Sequence, residues 1–331
     1  MIQRITGPLP EWASRNNPLL GYQLRQHEQI STRSRLLRAL GSVLLLAALA
    51  IGGYAAATNV FSSPAGQNLT ESTVEILFYP MVIIQTALGI GALAFTIGAI
   101  GEERGHETWD NLRATPSGAA LTLRTRWIAV FYRLRPGLVL VTLVRLVLIG
   151  LVLRDLTAFQ GRYIDLLIGG VTPDVPTALG GIPFSVPAAA LMLSLFLTAA
   201  LLLPFTNVAF DASFGLFLAT LFKQRLYSLI FQFVGFVLRI GVVGGLIWLT
   251  LGFIANTQPL EPWQAWLTVF GFGAFADWGL MMMHLGFSGE VWGTIPYGIF
   301  IGPVLLLYAL GQAMLSDLFL RWAVILAENR D

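Results

Sequence analysis

Cysteine is absent from this chain of 331 residues, and lysine occurs once, at Lys223. Without cysteine there are no disulfides and no thiolate metal sites. Charge is scarce as well. Only 11% of the residues are Asp, Glu, Lys or Arg, against about 25% in an average soluble domain. What fills the chain instead is apolar: 56% hydrophobic residues and a mean hydropathy of +0.72. Several apolar runs reach the roughly 20 residues that a helix needs to cross a bilayer. A β-barrel would instead show alternating segments of about ten residues. The composition therefore predicts an all-α integral membrane protein. The net charge of +2 is too small for a nucleic-acid footprint.

The pattern predicts six transmembrane helices, at about 37–60, 74–100, 136–153, 186–210, 226–254 and 294–320. They make one transmembrane domain over 37–320, between an N-terminal segment 1–36 and a tail 321–331. The apolar runs begin too late for a cleavable leader, so the first is expected to act as a signal anchor. Asn17-Pro18 reads as a helix start, with Asn as cap and Pro in the first turn. Leu20, Leu24 and His27 follow on one stripe, which suits a helix lying in the membrane interface. Residues 255–293 hold Trp263, Trp266, Trp278 and Trp292 and read as short outer helices before the last span.

Basic residues set the orientation. With six spans and both ends cytosolic, the inner segments carry Arg4 to Arg38, Arg104 to Arg135, Lys223, Arg225, Arg321 and Arg330. The outer links carry only Arg154 and Arg162. This asymmetry follows the positive-inside rule. It predicts a multi-pass protein of the cytoplasmic membrane. Small residues spaced for close helix approach, Gly91 with Gly98 and Gly241 with Gly245, are candidates for packing between subunits or within one.

Arg145 and Arg239 fall mid-span, where an arginine costs about 2.5–3.5 kcal/mol on insertion scales. Two readings stay open. They line a translocation path and contact an anionic substrate, or each is neutralised by a structural partner or snorkels. Glu75 and Asp211 lie near predicted span ends and are not obvious partners. Asp277 and His284 share a helix face with Met281, Met282 and Met283 between them. Consecutive methionines diverge on a helix, so these read as interfacial residues and not as a metal site.

The charged stretch between the second and third spans is the most specific feature. Glu103-Arg104, Thr108-Trp109-Asp110, Leu112 and Thr115-Pro116 fall within Gly101–Ser117. Trp109 and Leu112 share one helix face, and Pro116 ends the helix. This pattern resembles the segment after the second span of ABC-2 type transporter permeases, the membrane subunits of ATP-binding-cassette exporters. It departs from the family pattern at Asn111, Gly118 and Thr125-Arg126-Trp127.

The resemblance implies that 101–117 is a cytosolic coupling helix. Glu103, Arg104, Thr108, Trp109, Asp110, Leu112 and Pro116 would then dock on an ABC ATPase subunit. It also implies a second permease chain, the same or different, and no cofactor in this chain, with ATP and Mg on the partner ATPase. A P-loop needs a lysine next to Ser or Thr after glycines. Lys223 follows Thr220-Leu221-Phe222 and precedes Gln224, so this chain has no such loop and is not expected to be an enzyme. Two other functions remain: a permease-like structural subunit of a larger membrane complex, and a membrane-embedded enzyme.

Overall fold

The computed structural model describes residues 10–13, 17–25, 77, 80–96, 118–158, 178–179, 182–183, 186–222, 225–254, 261, 263–264, 267, 270–271, 274 and 300–329. Among the described residues, six helices carry the fold: α1 (Pro18–Arg25), α2 (Pro80–Thr96), α3 (Gly118–Ala158), α4 (Val186–Leu221), α5 (Arg225–Ile254) and α6 (Ile301–Asn329). A 3-10 turn, Glu11–Ala13, precedes α1. The two-residue strands β1 (Ala178–Leu179) and β2 (Ile182–Pro183) pair antiparallel between α3 and α4.

Within α3, α4 and α6, the stretches Gly118–Leu151, Ala190–Leu221 and Ile301–Glu328 are long and apolar enough to cross a membrane. Their outward faces fit that solvent. Leu143, Val147, Leu307 and Met314 are all more than half exposed, a load of apolar surface that water would not tolerate but acyl chains do.

The central pair is α4 and α6, the most extensive helix contact in the chain. Gly302 lies on Met192 and Phe196, Gln312 on Asn207, Ser316 on Ala209, and Trp322 on Phe217. Both numbers rise together, so the two helices run parallel. On α6 the buried positions are Leu305, Ala309, Gln312, Ser316, Ala323 and Ala327. Their spacing of three, four or seven is the repeat of a coiled-coil seam. Alanine fills much of it because, in lipid, helices associate through close van der Waals packing. Gly302 shows how close. A Cβ there would lie 2.7 Å from the Met192 carbonyl oxygen and 2.9 Å from the Phe196 backbone nitrogen.

α3 runs antiparallel to α4. Trp127 reaches Ala209, while Ala119 and Leu123 join Leu216, Ala219, Ala323 and Ala327 in one apolar cluster. α2 runs antiparallel to α3, with Gly91 on Leu134 and Gly137 on Leu88. α5 turns back along α4, since Phe222 stacks on Phe231 and Asp211 meets Arg239 further along. One end of the bundle, hereafter the lower end, thus holds the C-termini of α2, α4 and α6 and the N-termini of α3 and α5.

α5 finishes at the upper end and α6 starts there. Phe270 meets the Tyr308 ring edge-on, and Gly271 lies against Leu246. Those contacts sit seven or eight residues in from the helix ends, roughly 10–12 Å at 1.5 Å per residue. Ala274 is fully buried among them.

The N-terminal helix forms as its sequence predicts. The Asn17 side-chain oxygen accepts the Leu19 N–H at 3.0 Å, capping a helix whose first residue is Pro18. Leu20 is fully buried. Arg133 donates to the Gln23 carbonyl at 3.1 Å, and the Tyr132 hydroxyl donates to the Ala13 carbonyl at 3.3 Å. The segment is therefore tied to α3.

Several predicted boundaries need correcting. The third helix begins at Gly118 rather than near Pro136. Pro136 sits inside it, with four arginines and two threonines before it on the same continuous rod. The fourth helix continues past Phe210 to Leu221, so 214–221 is helix and the turn shrinks to 222–224. The sequence from Asp211 to Leu221 holds no proline, and Ala212, Leu216 and Ala219 pack inward, so nothing ends the helix at its one carboxylate. The predicted tail is helical too, since α6 runs on to Asn329 with Ala323 and Ala327 buried. The first predicted span, Gly98, His27, Asp277 and His284, and the whole stretch 101–117 lie outside the described residues. That last stretch includes Glu103, Arg104, Thr108, Trp109, Asp110, Leu112 and Pro116.

Candidate functional site

Polar side chains inside an apolar bundle are costly unless they pair, so where they gather is informative. α4 carries Asn207 and Asp211, four residues apart on one side of the helix, with Thr206 next to Asn207. Two groups form around them.

The first group joins α4 to α6. The Gln312 amide nitrogen donates to the Asn207 side-chain oxygen at 2.6 Å and to the Tyr308 hydroxyl at 2.9 Å. Its oxygen accepts from the Thr206 hydroxyl at 2.9 Å. Both N–H groups and the carbonyl are thereby used. One turn on, the Ala209 carbonyl accepts from Ser316 at 3.0 Å and from the Trp127 indole at 3.1 Å. That carbonyl ties α3, α4 and α6 together at one level.

The second group joins α4 to α5 and α2. Arg239 of α5 donates through Nη1 to Oδ2 of Asp211. The guanidinium lies over Gly89 of α2, where a Cβ would stand 2.5–2.7 Å from its carbon and both terminal nitrogens. Any side chain at this position would have to displace the guanidinium from its seat. Charges in a low-dielectric interior attract strongly, but they must also offset their desolvation. Here the Asp211 side chain is 8% exposed and that of Arg239 20%.

The predicted site residues can be placed against this geometry. Arg239 has the structural partner that one of its two readings required, and that partner is Asp211. Arg145 is 3% exposed, inside the bundle rather than snorkelling outward. The structure does not bring Arg145 and Arg239 together in any described contact. Gly91 packs on Leu134 of the same chain, whereas a Cβ at Gly241 or Gly245 would meet nothing within 4 Å.

Sequence reasoning missed Asn207, Gln312, Gly89 and Gly302, and set Asp211 aside. A signal existed for three of them. Asn207, Asp211 and Gln312 are polar residues within otherwise apolar runs, a standing mark of helix contacts or function. The two glycines had no signal of their own among 34 in the chain.

Comparison with protein-family models, curated proteins and solved structures gives a single result. None of them matches this chain.

Chemically, the described groups hold helices in register. Among the described residues no three histidine or carboxylate side chains converge as metal ligands would. The amide group is saturated by its own members. The ion pair is the one contact in the site whose making and breaking would change how a whole helix is held.

Proposed function

We propose that this chain is the membrane-spanning permease subunit of an ABC exporter, powered by a separate ATPase chain. The observation that carries the reading is the segment Gly101–Ser117, with its resemblance to the coupling helix of ABC-2 type permeases, and its setting. It connects the C-terminus of α2 to the N-terminus of α3. Both termini belong to the lower end of the bundle, together with the 222–224 link and the end of α6. The part of α3 that rises from that end carries Arg124, Arg126, Arg133 and Arg135. A surplus of arginine marks the cytosolic side, which is where an ATPase is found.

In this reading the chain crosses the membrane six times with both termini cytosolic, and 255–293 lies on the outer side. Trp109 and Leu112 form the apolar face that the ATPase covers. Glu103, Arg104, Thr108, Asp110 and Pro116 frame it. ATP and Mg bind the ATPase, and a second permease chain completes the path. Substrate passes between alternating inward- and outward-open forms, with Arg145 and Arg239 as the candidate polar groups along the way. Gly98, with Gly91, belongs to the helix packing of the second span. Gly241 and Gly245 offer a surface for the second permease.

Affinity purification of this chain from its native membrane in mild detergent tests the reading. The expected result is a co-purifying ABC ATPase and Mg-dependent ATP hydrolysis by the complex. Recovery with other membrane subunits alone would make the chain a structural subunit. Recovery of a membrane-bound catalytic activity by the chain alone would make it an enzyme.

A further inference from the structure

The way α5 is attached differs from every other long helix. Among its described side chains only Val243 is buried, while Ile230, Phe233, Val234, Val237, Leu238 and Trp248 are exposed. By contrast α6 is buried along a stripe from Ile301 to Ala327. Sparse packing is the physical mark of an element that opens at low free energy.

Among the described residues, besides the burial of Val243 in the core, three contacts are spread along α5. At its base Phe222 stacks on Phe231 with ring centroids 4.5 Å apart. Midway, Arg239 meets Asp211 over Gly89. Near the top Leu246 packs on Gly271. The first lies beside the short 222–224 link, and a short link fixes position but not angle. The third is a contact between apolar groups, and lipid competes for such groups on equal terms. Only the second has no equivalent in the bilayer, because an arginine released into lipid is heavily penalised.

We infer that α5 is a hinged helix, held shut by a charge clamp in which Arg239 grips Asp211 through the seat left by Gly89. The hinge is the Phe222–Phe231 base. When the clamp opens, the half of α5 above Arg239 swings from the bundle and water enters the seam to solvate both charges. The guanidinium touches α2, α4 and α5 at once, so a small shift of α2 against α4 is enough to unseat it. This device stands whether or not an ATPase binds the chain, and its test needs neither transport nor a partner.

The chain has no native cysteine, so paired cysteines report without background. One pair, Phe222→Cys with Phe231→Cys, reads the hinge. The other, Leu246→Cys with Gly271→Cys, reads the upper half. Both are made in the full-length chain, oxidised in membranes, and scored by the free thiols that remain. With the clamp intact both pairs close readily. Asp211→Leu with Arg239→Met removes both charges without stranding either, so the protein still folds. It is expected to slow closure of the upper pair about tenfold and leave the hinge pair unchanged. Gly89→Ala, which only displaces the guanidinium, shifts the upper pair in the same direction by less. Unchanged closure of the upper pair in the double variant would overturn the inference. So would equal slowing of both pairs, since the ion pair would then hold the whole bundle and not α5.

Discussion

Gln312 shows what one side chain can decide in a bundle solvated by lipid. Apolar surface gains little by leaving acyl chains for another helix, so register between helices is left to tight packing and to polar groups that must find each other. Gln312 has its two donors and its acceptor engaged, across two helices and within its own. Replacing it by leucine strands the Asn207 side-chain oxygen, whereas the Thr206 hydroxyl keeps the Leu203 carbonyl as an acceptor. Gln312→Leu is therefore expected to cost about 1–2 kcal/mol, read as a lower midpoint of denaturation in detergent. Asn207→Ala combined with Gln312→Leu should cost less than the two single changes added together, because they share one interaction. Equal stability of Gln312→Leu and the parent would show that the network is incidental. Arg239 makes the related point for charge. Its position mid-span was plain in the sequence, but its partner was not, because Asp211 reads as a span-end residue until α4 is seen to run ten residues further.

At the scale of the element, the sequence was a good guide to where helices lie and a poor one to where they stop. α5 was predicted within one residue, because Arg225 and the following link bound it on chemical grounds. The start of α1 was legible for the same reason: Asn17 and Pro18 are a cap and a first turn. The extensions of α3 back to Gly118, α4 on to Leu221 and α6 on to Asn329 were not legible. A hydropathy reading ends a helix where charge begins, and here charged residues ride on continuous helices that pack together at the lower end. Glycine spacing alone did not show which glycines meet a neighbouring helix of the same chain. The GxxxG pattern at Gly241 and Gly245 has open space beside it in the monomer, whereas the isolated Gly302 sits directly on the α4 backbone. Gly302→Ala is accordingly expected to destabilise the protein by about 1–3 kcal/mol through overpacking, while Gly241→Ala leaves the stability of the monomer unchanged. Thermal unfolding of both variants in detergent checks this, and the reverse order would contradict the α4–α6 contact.

At the scale of the molecule, the described residues form a parallel α4–α6 pair with α3 laid against both, α2 and α5 outside, and α1 strapped across α3. The membrane character was legible from composition alone. Which ends share a side was legible only in part, because basic residues give a side to each link but say little about 255–293. The parallel contact of α4 with α6 puts the end of α5 and the start of α6 on one side, something no local pattern encodes. Orientation is directly testable in this cysteine-free chain. Single cysteines at Gln67, Thr172 and Gln258 are expected to react with an impermeant thiol reagent added outside, and those at Asn111 and Gln224 are not. External labelling at Asn111 would reverse the orientation.

The proposed function rests most directly on Trp109 and Leu112. A tryptophan and a leucine on one face of a charged segment call for a cover, and buried aromatic anchors dominate interface energies, often by 2 kcal/mol or more, roughly thirtyfold in affinity. The flanking Glu103, Glu107 and Asp110 would meet basic groups at the rim, where charge sets rate and specificity. The decisive measurement is the yield of co-purified ATPase, and its rate of ATP hydrolysis in the complex, for the double variant Trp109→Ala with Leu112→Asp beside the parent chain. The account predicts that the ATPase is lost, or stays bound but no longer responds to substrate, while the membrane domain remains folded. A double variant that keeps its ATPase and transports at the parental rate would contradict it.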